Sequence, residues 1–228
     1  MLINIKNVLY RFKKSFFPRI IILCYHRIGN YKLDPYELSV SKKKLEKQMK
    51  WLKSEYNLID IDNLVNYYEH SILPPDKSII ITFDDGYFST IETIELLEKL
   101  EIPATFFMCT PNIKSKYFYW DILQNILFGN IEMKDFEIQF IIKLCRKVNI
   151  KIEPEKILTK SMYKKSLQWK ISDKKCPTNR CQILKNISEI IEFENPYNIK
   201  SILKVLYDNK FYFNKNNTNS PPLDSIKL

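Results

Sequence analysis

Between residues 20 and 108 the chain alternates short apolar runs with segments of helical period, and this alternation restricts the possible folds more than any other feature. IIILCY at 20–25 and SIIITF at 78–83 are continuous apolar runs of strand length, as buried strands of a parallel sheet require. SKKKLEKQMKWLKS at 41–54 sets Leu45, Met49 and Leu52 on one helical face with lysines opposite, and Ser41 is placed to cap it. LIDI at 58–61 reads as a short strand, with Asp62 capping a helix that runs to about His70. Pro74-Pro75 breaks the chain before 78–83. Ser89 and Glu92 are spaced as a capping box for a helix over 89–100, with Ile91, Ile94 and Leu97 inward. Pro103 then resets the chain before a strand at ATFFM, 104–108. A β-α-β-α-β-α-β series implies an α/β fold of parallel strands joined by right-handed crossovers, here about half a barrel.

After residue 115 the strand signal fades. Segments 117–128, 133–148, 155–169 and 179–193 all carry helical patterning. The Asn/Ser/Pro-rich stretch 211–228 reads as a disordered tail. Residues 2–17 read as a basic amphipathic helix, Ile5, Val8, Leu9, Phe12 and Phe16 against Lys6, Arg11, Lys13 and Lys14, able to lie on a membrane surface or to pack on the domain. The expected division is therefore 1–19, a basic amphipathic segment; 20–116, the α/β region; 117–210, a helical region; and 211–228, the tail.

Composition sets outer limits. With 45% hydrophobic and 27% charged residues, a 228-residue chain can build a core. Three glycines argue against Gly-rich phosphate loops. A net charge of +10 favours anionic partners such as phospholipid headgroups or acidic glycans, but lysines without a reading motif give no reason to expect nucleic acid. Of the five cysteines, Cys24 and Cys109 fall in expected buried strands, where a free thiol acts as a small hydrophobe. No apolar run is long enough to span a bilayer, and no export signal is evident, so a cytoplasmic or membrane-peripheral location is expected.

The chemistry concentrates at 80–90, IITFDDGYFST. The carboxyl-terminal edge of a parallel sheet is where side chains leave the core and meet ligands. Alternation aims adjacent residues differently, so one of Asp84 and Asp85 can bind a cation while the other accepts a proton from water. Gly86 permits a sharp turn. A helix cap followed by a turn aspartate is the other reading of the same three residues.

The surroundings carry a resemblance. LCYHRIGN at 23–30, LSVSKKKLEKQMKWLKSEYNLIDIDNLV at 38–65 and IIITFDDGYFSTIETIELLEKLEIPATFFM at 79–108 together resemble the polysaccharide deacetylase family, the NodB-homology domain of carbohydrate esterase family 4. The resemblance implies a partial or deformed (β/α) barrel followed by a helical insertion, and metal-dependent hydrolysis of acetyl groups from N-acetylated sugars. By motif, Asp84 resembles the general base and Asp85 the carboxylate that holds a divalent metal of zinc, cobalt or nickel type. Tyr25, His26, Thr82 and Gly86 resemble residues around that pocket. Tyr119-Trp120-Asp121 resembles the Trp-Asp that precedes a helical insertion in some members, which adds Trp120 and Asp121 as pocket candidates. The implied partner is an acetylated polysaccharide or glycan.

One part of the family pattern has no counterpart. The remaining metal ligands are histidines in a His-Ser/Thr-x-x-His motif, whereas this sequence has only His26 and His70. His26, at the end of the first strand, can line the pocket or serve as a hydrogen-bonded structural imidazole. His70, at the far end of a helix, is expected at the surface. ENPYN at 194–198 shares Pro-Tyr with a later family motif but lacks its Arg and Gly. Two expectations stay open: a sequence that stops ahead of its histidine motif, or a catalytically silent domain kept for binding carbohydrate or membrane. Four barrel strands would leave a sheet edge uncovered, which favours the first.

Overall fold

The computed structural model describes residues 20–109, 118–193 and Lys204. The expected amphipathic helix at 2–17, the ENPYN stretch and the tail at 211–228 lie outside the described residues. The described residues fall into two compact units, 20–30 with 40–109, and 31–39 with 118–193.

In the first unit, β1 (Ile21–Tyr25) leads into β2 (Arg27–Ile28) and β3 (Ser39–Val40), followed by α1 (Lys42–Glu55), β4 (Asn57–Leu58), α2 (Ile61–Glu69), β5 (Ser78–Phe83), the short α3 (Phe88–Ile91) and α4 (Ile94–Lys99), and β6 (Thr105–Phe106). Strand β5 is the axis of an open four-stranded parallel sheet. It pairs with β1 in the register Ile21–Ile79 to Tyr25–Phe83. The Lys77, Ile79 and Phe83 carbonyls accept from Asn57, Ile59 and Phe107, so β4 and β6 follow one another along its opposite edge. The α/β class and the partial parallel sheet are those expected from the sequence.

Each face of the sheet follows from alternation along β1 and β5. Leu23, Tyr25, Ile79, Ile81 and Phe83 pack with Leu45, Met49 and Leu52 of α1 and with Leu97 and Ile102. The helix face predicted for α1 is the buried one, and the Ser41 side chain accepts from the Lys44 amide as its cap. Phe83 lies stacked between Tyr25 and Phe106, at centroid distances of 5.4 and 4.9 Å.

Several local expectations are corrected. Strand β1 is not buried on both faces: Ile21 and Ile22 are 47% and 55% exposed, and Cys24 and Cys109 are exposed rather than core thiols. Helix α2 is capped by Asp60, whose carboxylate accepts from the Asn63 amide at 2.6 Å; Asp62 is inside its first turn. Ser89 is not the N-cap: it lies inside α3, whose N-cap is Tyr87, and its buried hydroxyl accepts from the Ile28 amide, a partner 61 residues away. The helix expected over 89–100 is broken into α3 and α4, of whose inward candidates Leu97 is buried and Ile94 is exposed.

The second unit is helical: α5 (Tyr119–Phe128), α6 (Asp135–Lys147), α7 (Lys160–Gln168) and α8 (Asn179–Phe193). Its core includes Leu123, Leu127, Phe140, Leu144, Ile183 and Ile187. Arg180 is fully buried, and its guanidinium donates to the carbonyls of Leu127, Asn130, Ile131, Glu155 and Lys156 at 2.7–3.1 Å. The Glu155 carboxylate accepts from the amides of Asn179 and Arg180 at the start of α8. Residues 31–39 join this unit through Leu33 in its core and a 2.6 Å hydrogen bond between the Tyr36 and Ser188 hydroxyls. Among the described residues, no helix is long and apolar enough to cross a membrane.

Candidate active site at the carboxyl edge of the sheet

The sheet face opposite the core carries the polar chemistry. Cys24 and Thr82 are register partners. One step beyond the last pair, the Asp84 amide donates to the Tyr25 carbonyl at 2.8 Å. The pleat therefore sends Cys24, Thr82 and Asp84 to one side, with His26 two residues after Cys24 on the same side. Cys24, His26 and Asp84 offer ligand atoms that all lie within 4.8 Å of one another. The Cys24 sulfur is 3.8 Å from His26 Nδ1.

Directly after β5 the backbone leaves the strand geometry. Asp85 and Gly86 both adopt left-handed conformations, with φ of 69° and 73°. Aspartate tolerates this region better than most residues, and glycine adopts it freely. The Asp85 carbonyl accepts from the Cys109 amide at 3.4 Å, which ties the turn to the chain after β6. The turn swings the Asp85 carboxylate toward His26, with Oδ2 4.0 Å from Nε2.

The two acids differ in their surroundings. Burial pushes the Asp85 carboxyl above its ordinary value, opposed by His26 and reinforced by the neighbouring Asp84 charge. Asp84 Oδ1 is buried and has no hydrogen-bond partner. An acceptor in that state is an unsatisfied cost unless something in the functional state uses it. Burial, then a hydrogen bond to Asp84, push the Cys24 thiol up from its ordinary value.

The other residues singled out from the sequence fall as follows. Thr82 is buried, and its hydroxyl donates to the Leu23 carbonyl at 3.4 Å, a strand contact. Tyr25 is on the core face, with its hydroxyl donating to Gln48 at 3.3 Å, so it does not share the face of Asp84. Gly86 is buried in the turn, and a Cβ there would stand 2.7 Å from Met108 Cε. Trp120 and Asp121 lie in the first turn of α5, in the second unit, where Trp120 stacks on Phe118 and Asp121 is buried. His70 is exposed at the end of α2, and its Nδ1 donates to the Asn66 carbonyl at 3.0 Å.

The metal set implied by the family, one aspartate with two histidines, does not fit the described residues. Asp85 has His26 at 4.0 Å, and the chain's other histidine is occupied at a helix end. Cys24, read from the sequence as a core hydrophobe, is the residue that was missed. The signal for it is the Cys-x-His spacing at the end of β1, with His26 directly after the strand, which places both side chains on one side.

Comparison with known proteins places this edge in context. Residues 72–135 match the family model for polysaccharide deacetylase. The chain is 32% identical over 101 residues to YxkH of Bacillus subtilis (strain 168), provisionally named a polysaccharide deacetylase; the match covers 43% of this chain and 35% of that protein. The chain thus spans about a third of the length of the curated relative it matches. Among solved structures, a polysaccharide deacetylase from Bacillus cereus is 28% identical, covering 45% of this chain and 32% of that one, with a TM-score of 0.34. IcaB from Ammonifex degensii is 26% identical, covering 43% and 40%, with a TM-score of 0.35.

Proposed function

We propose that this chain, whose residues 72–135 match the polysaccharide deacetylase family model, contributes the acid-bearing edge of a hydrolase that removes acetyl groups from N-acetylated sugars. The observation that carries the reading is the buried, unpartnered Oδ1 of Asp84 at the carboxyl end of the central strand, inside the Thr-Phe-Asp-Asp-Gly stretch. A carboxylate oxygen left without a hydrogen-bond partner at the edge of the sheet is available to take a proton from an attacking water. The water oxygen bonds to the acetamide carbon while Asp84 receives its proton, and Asp84 then passes that proton to the nitrogen as the C–N bond breaks, leaving acetic acid, which ionises to acetate, and a free amine. Asp85, held by the left-handed turn, orients His26 from its far side. The family uses a divalent metal, and Asp85 is the residue that the resemblance assigns to holding it.

Incubating the protein with N-acetylglucosamine oligomers, with and without zinc, cobalt or nickel, tests the reading. Acetate and free amine appearing in equal amounts, and lost in Asp84→Asn, are the expected result. Product formation that survives Asp84→Asn would overturn it. The metal set that the described residues leave incomplete favours a second reading, a module that binds glycan without hydrolysing it. Saturable oligosaccharide binding with no acetate released would select that reading. Peripheral membrane contact through residues 2–17 belongs to the same proposal, and loss of vesicle co-sedimentation on deleting them is its check.

A further inference from the structure

We propose that Cys24, His26 and Asp84 form a binding site for a thiophilic divalent cation of the zinc class, built from residues of β1 and β5 and of the turns that follow them. The site differs from the one that the resemblance implies: it uses a thiolate, and its carboxylate is Asp84 rather than Asp85.

The geometry is close to what such an ion needs. With bonds of about 2.3 Å to sulfur and about 2.0–2.2 Å to nitrogen and oxygen, the ligand atoms of a tetrahedral zinc stand about 3.4–3.6 Å apart. The Cys24 sulfur and His26 Nδ1 are already 3.8 Å apart, and no separation among the three donors exceeds 4.8 Å. Side-chain rotation alone closes the remainder. The backbone holds the arrangement in register, because His26 directly follows β1 two residues after Cys24 and the Asp84 amide donates to the carbonyl of Tyr25 between them.

Two further features point to a ligand. The Asp84 carboxylate, whose Oδ1 is buried without a hydrogen-bond partner, supplies an oxygen within 4.8 Å of the Cys24 and His26 donors. The two ring nitrogens of His26 face different groups: Nδ1 looks toward Cys24, while Nε2 looks toward the Asp85 carboxylate at 4.0 Å. Metal-binding imidazoles are commonly held by a carboxylate on the nitrogen away from the ion, which fixes the tautomer and the ring orientation. Asp85 stands in that position. A sulfur ligand selects zinc-class ions over magnesium and calcium. Cys24 is exposed, which gives an entry path, and three protein donors leave a fourth position for water. Binding converts the Cys24 thiol to a thiolate and releases its proton to solvent.

The site stands independently of the deacetylase reading and meets it at one residue, since a cation held by the Asp84 carboxylate competes with the proton that the same carboxylate would take from water. Titrating the full chain with Co²⁺ alone, followed by displacement with Zn²⁺, tests it. One equivalent should give the near-ultraviolet charge-transfer band of a cobalt–thiolate bond. Cys24→Ser should remove the band and weaken zinc binding at least tenfold, whereas Cys109→Ser and Cys176→Ser should leave both unchanged. Asp85→Asn should keep the band with affinity lowered about tenfold. His26→Ala gives a second loss of the band, and Cys24→Ser, at an exposed position, keeps the test intact if that variant does not fold. The proposal is overturned if the wild-type chain shows no band, if the band survives Cys24→Ser, or if Asp85→Asn abolishes binding that Cys24→Ser leaves intact.

Discussion

Replacing Gly86 with alanine probes the turn that aims both acids. The residue has φ of 73°, where an L side chain places its Cβ against the following carbonyl at a cost of about 1–2 kcal/mol. The new Cβ would also lie 2.7 Å from Met108 Cε and 2.9 Å from its Sδ. Those atoms are the far end of a flexible side chain, so the contact is relieved by an off-rotamer methionine at about 1 kcal/mol. The first unit should therefore lose about 2–3 kcal/mol. Hydrogen exchange under native conditions, read on peptides covering β5, measures that loss for this unit without assuming that both units unfold together. Repeating the substitution in a Met108→Ala background should recover about 1 kcal/mol and leave the backbone part. A loss below about 0.5 kcal/mol in both backgrounds would refute the reasoning, because Gly86 would then not need its left-handed conformation.

The raised Asp85 carboxyl predicts a pH dependence of definite sign. The folded state holds this proton more tightly than the unfolded chain, so stability is highest below the ordinary carboxylate range and falls as pH rises through the raised folded value. Asp85→Asn removes that loss and suits the left-handed backbone, so its melting temperature should exceed that of wild type at pH 7, with the gap closing toward pH 3; a gap independent of pH would contradict the cause assigned. In the second unit, Arg180→Ala strands five backbone carbonyls that now share one guanidinium. At about 1 kcal/mol for each lost bond, less what water recovers, the unit should lose about 4 kcal/mol, read as exchange protection in α5 and α8. Arg180→Lys should recover only a minor part, since an ammonium has three donors and no planar fork.

Features set by local pattern were legible from the sequence, and those set by distant partners were not. The buried face of α1 follows from the 3.6-residue spacing of Leu45, Met49 and Leu52, and β5 occupies the 78–83 run that its apolar residues mark. Ser89 shows the limit: its spacing to Glu92 fits a cap, yet its hydroxyl serves the Ile28 amide, which no local window contains. The choice of Asp60 over Asp62 as the α2 cap turned on where β4 stops, and two nearby aspartates left that unmarked. The apolar run of β1 does not say whether both faces of the strand find cover; Ile22 and Cys24 do not. The two acids were visible in the sequence because they are adjacent in it. Joining Cys24 and His26 to Asp84 required the β1–β5 register, which pairs residues almost sixty positions apart.

The central claim is that Asp84 is held ready to take a proton during hydrolysis, and steady-state acetate release from N-acetylated oligosaccharide by wild type and Asp84→Asn tests it most directly. The account predicts that kcat falls by about 10²–10⁴ while KM stays within about twofold, the mark of a group that acts in the transition state. An Asp84→Asn protein that retains wild-type kcat would contradict it.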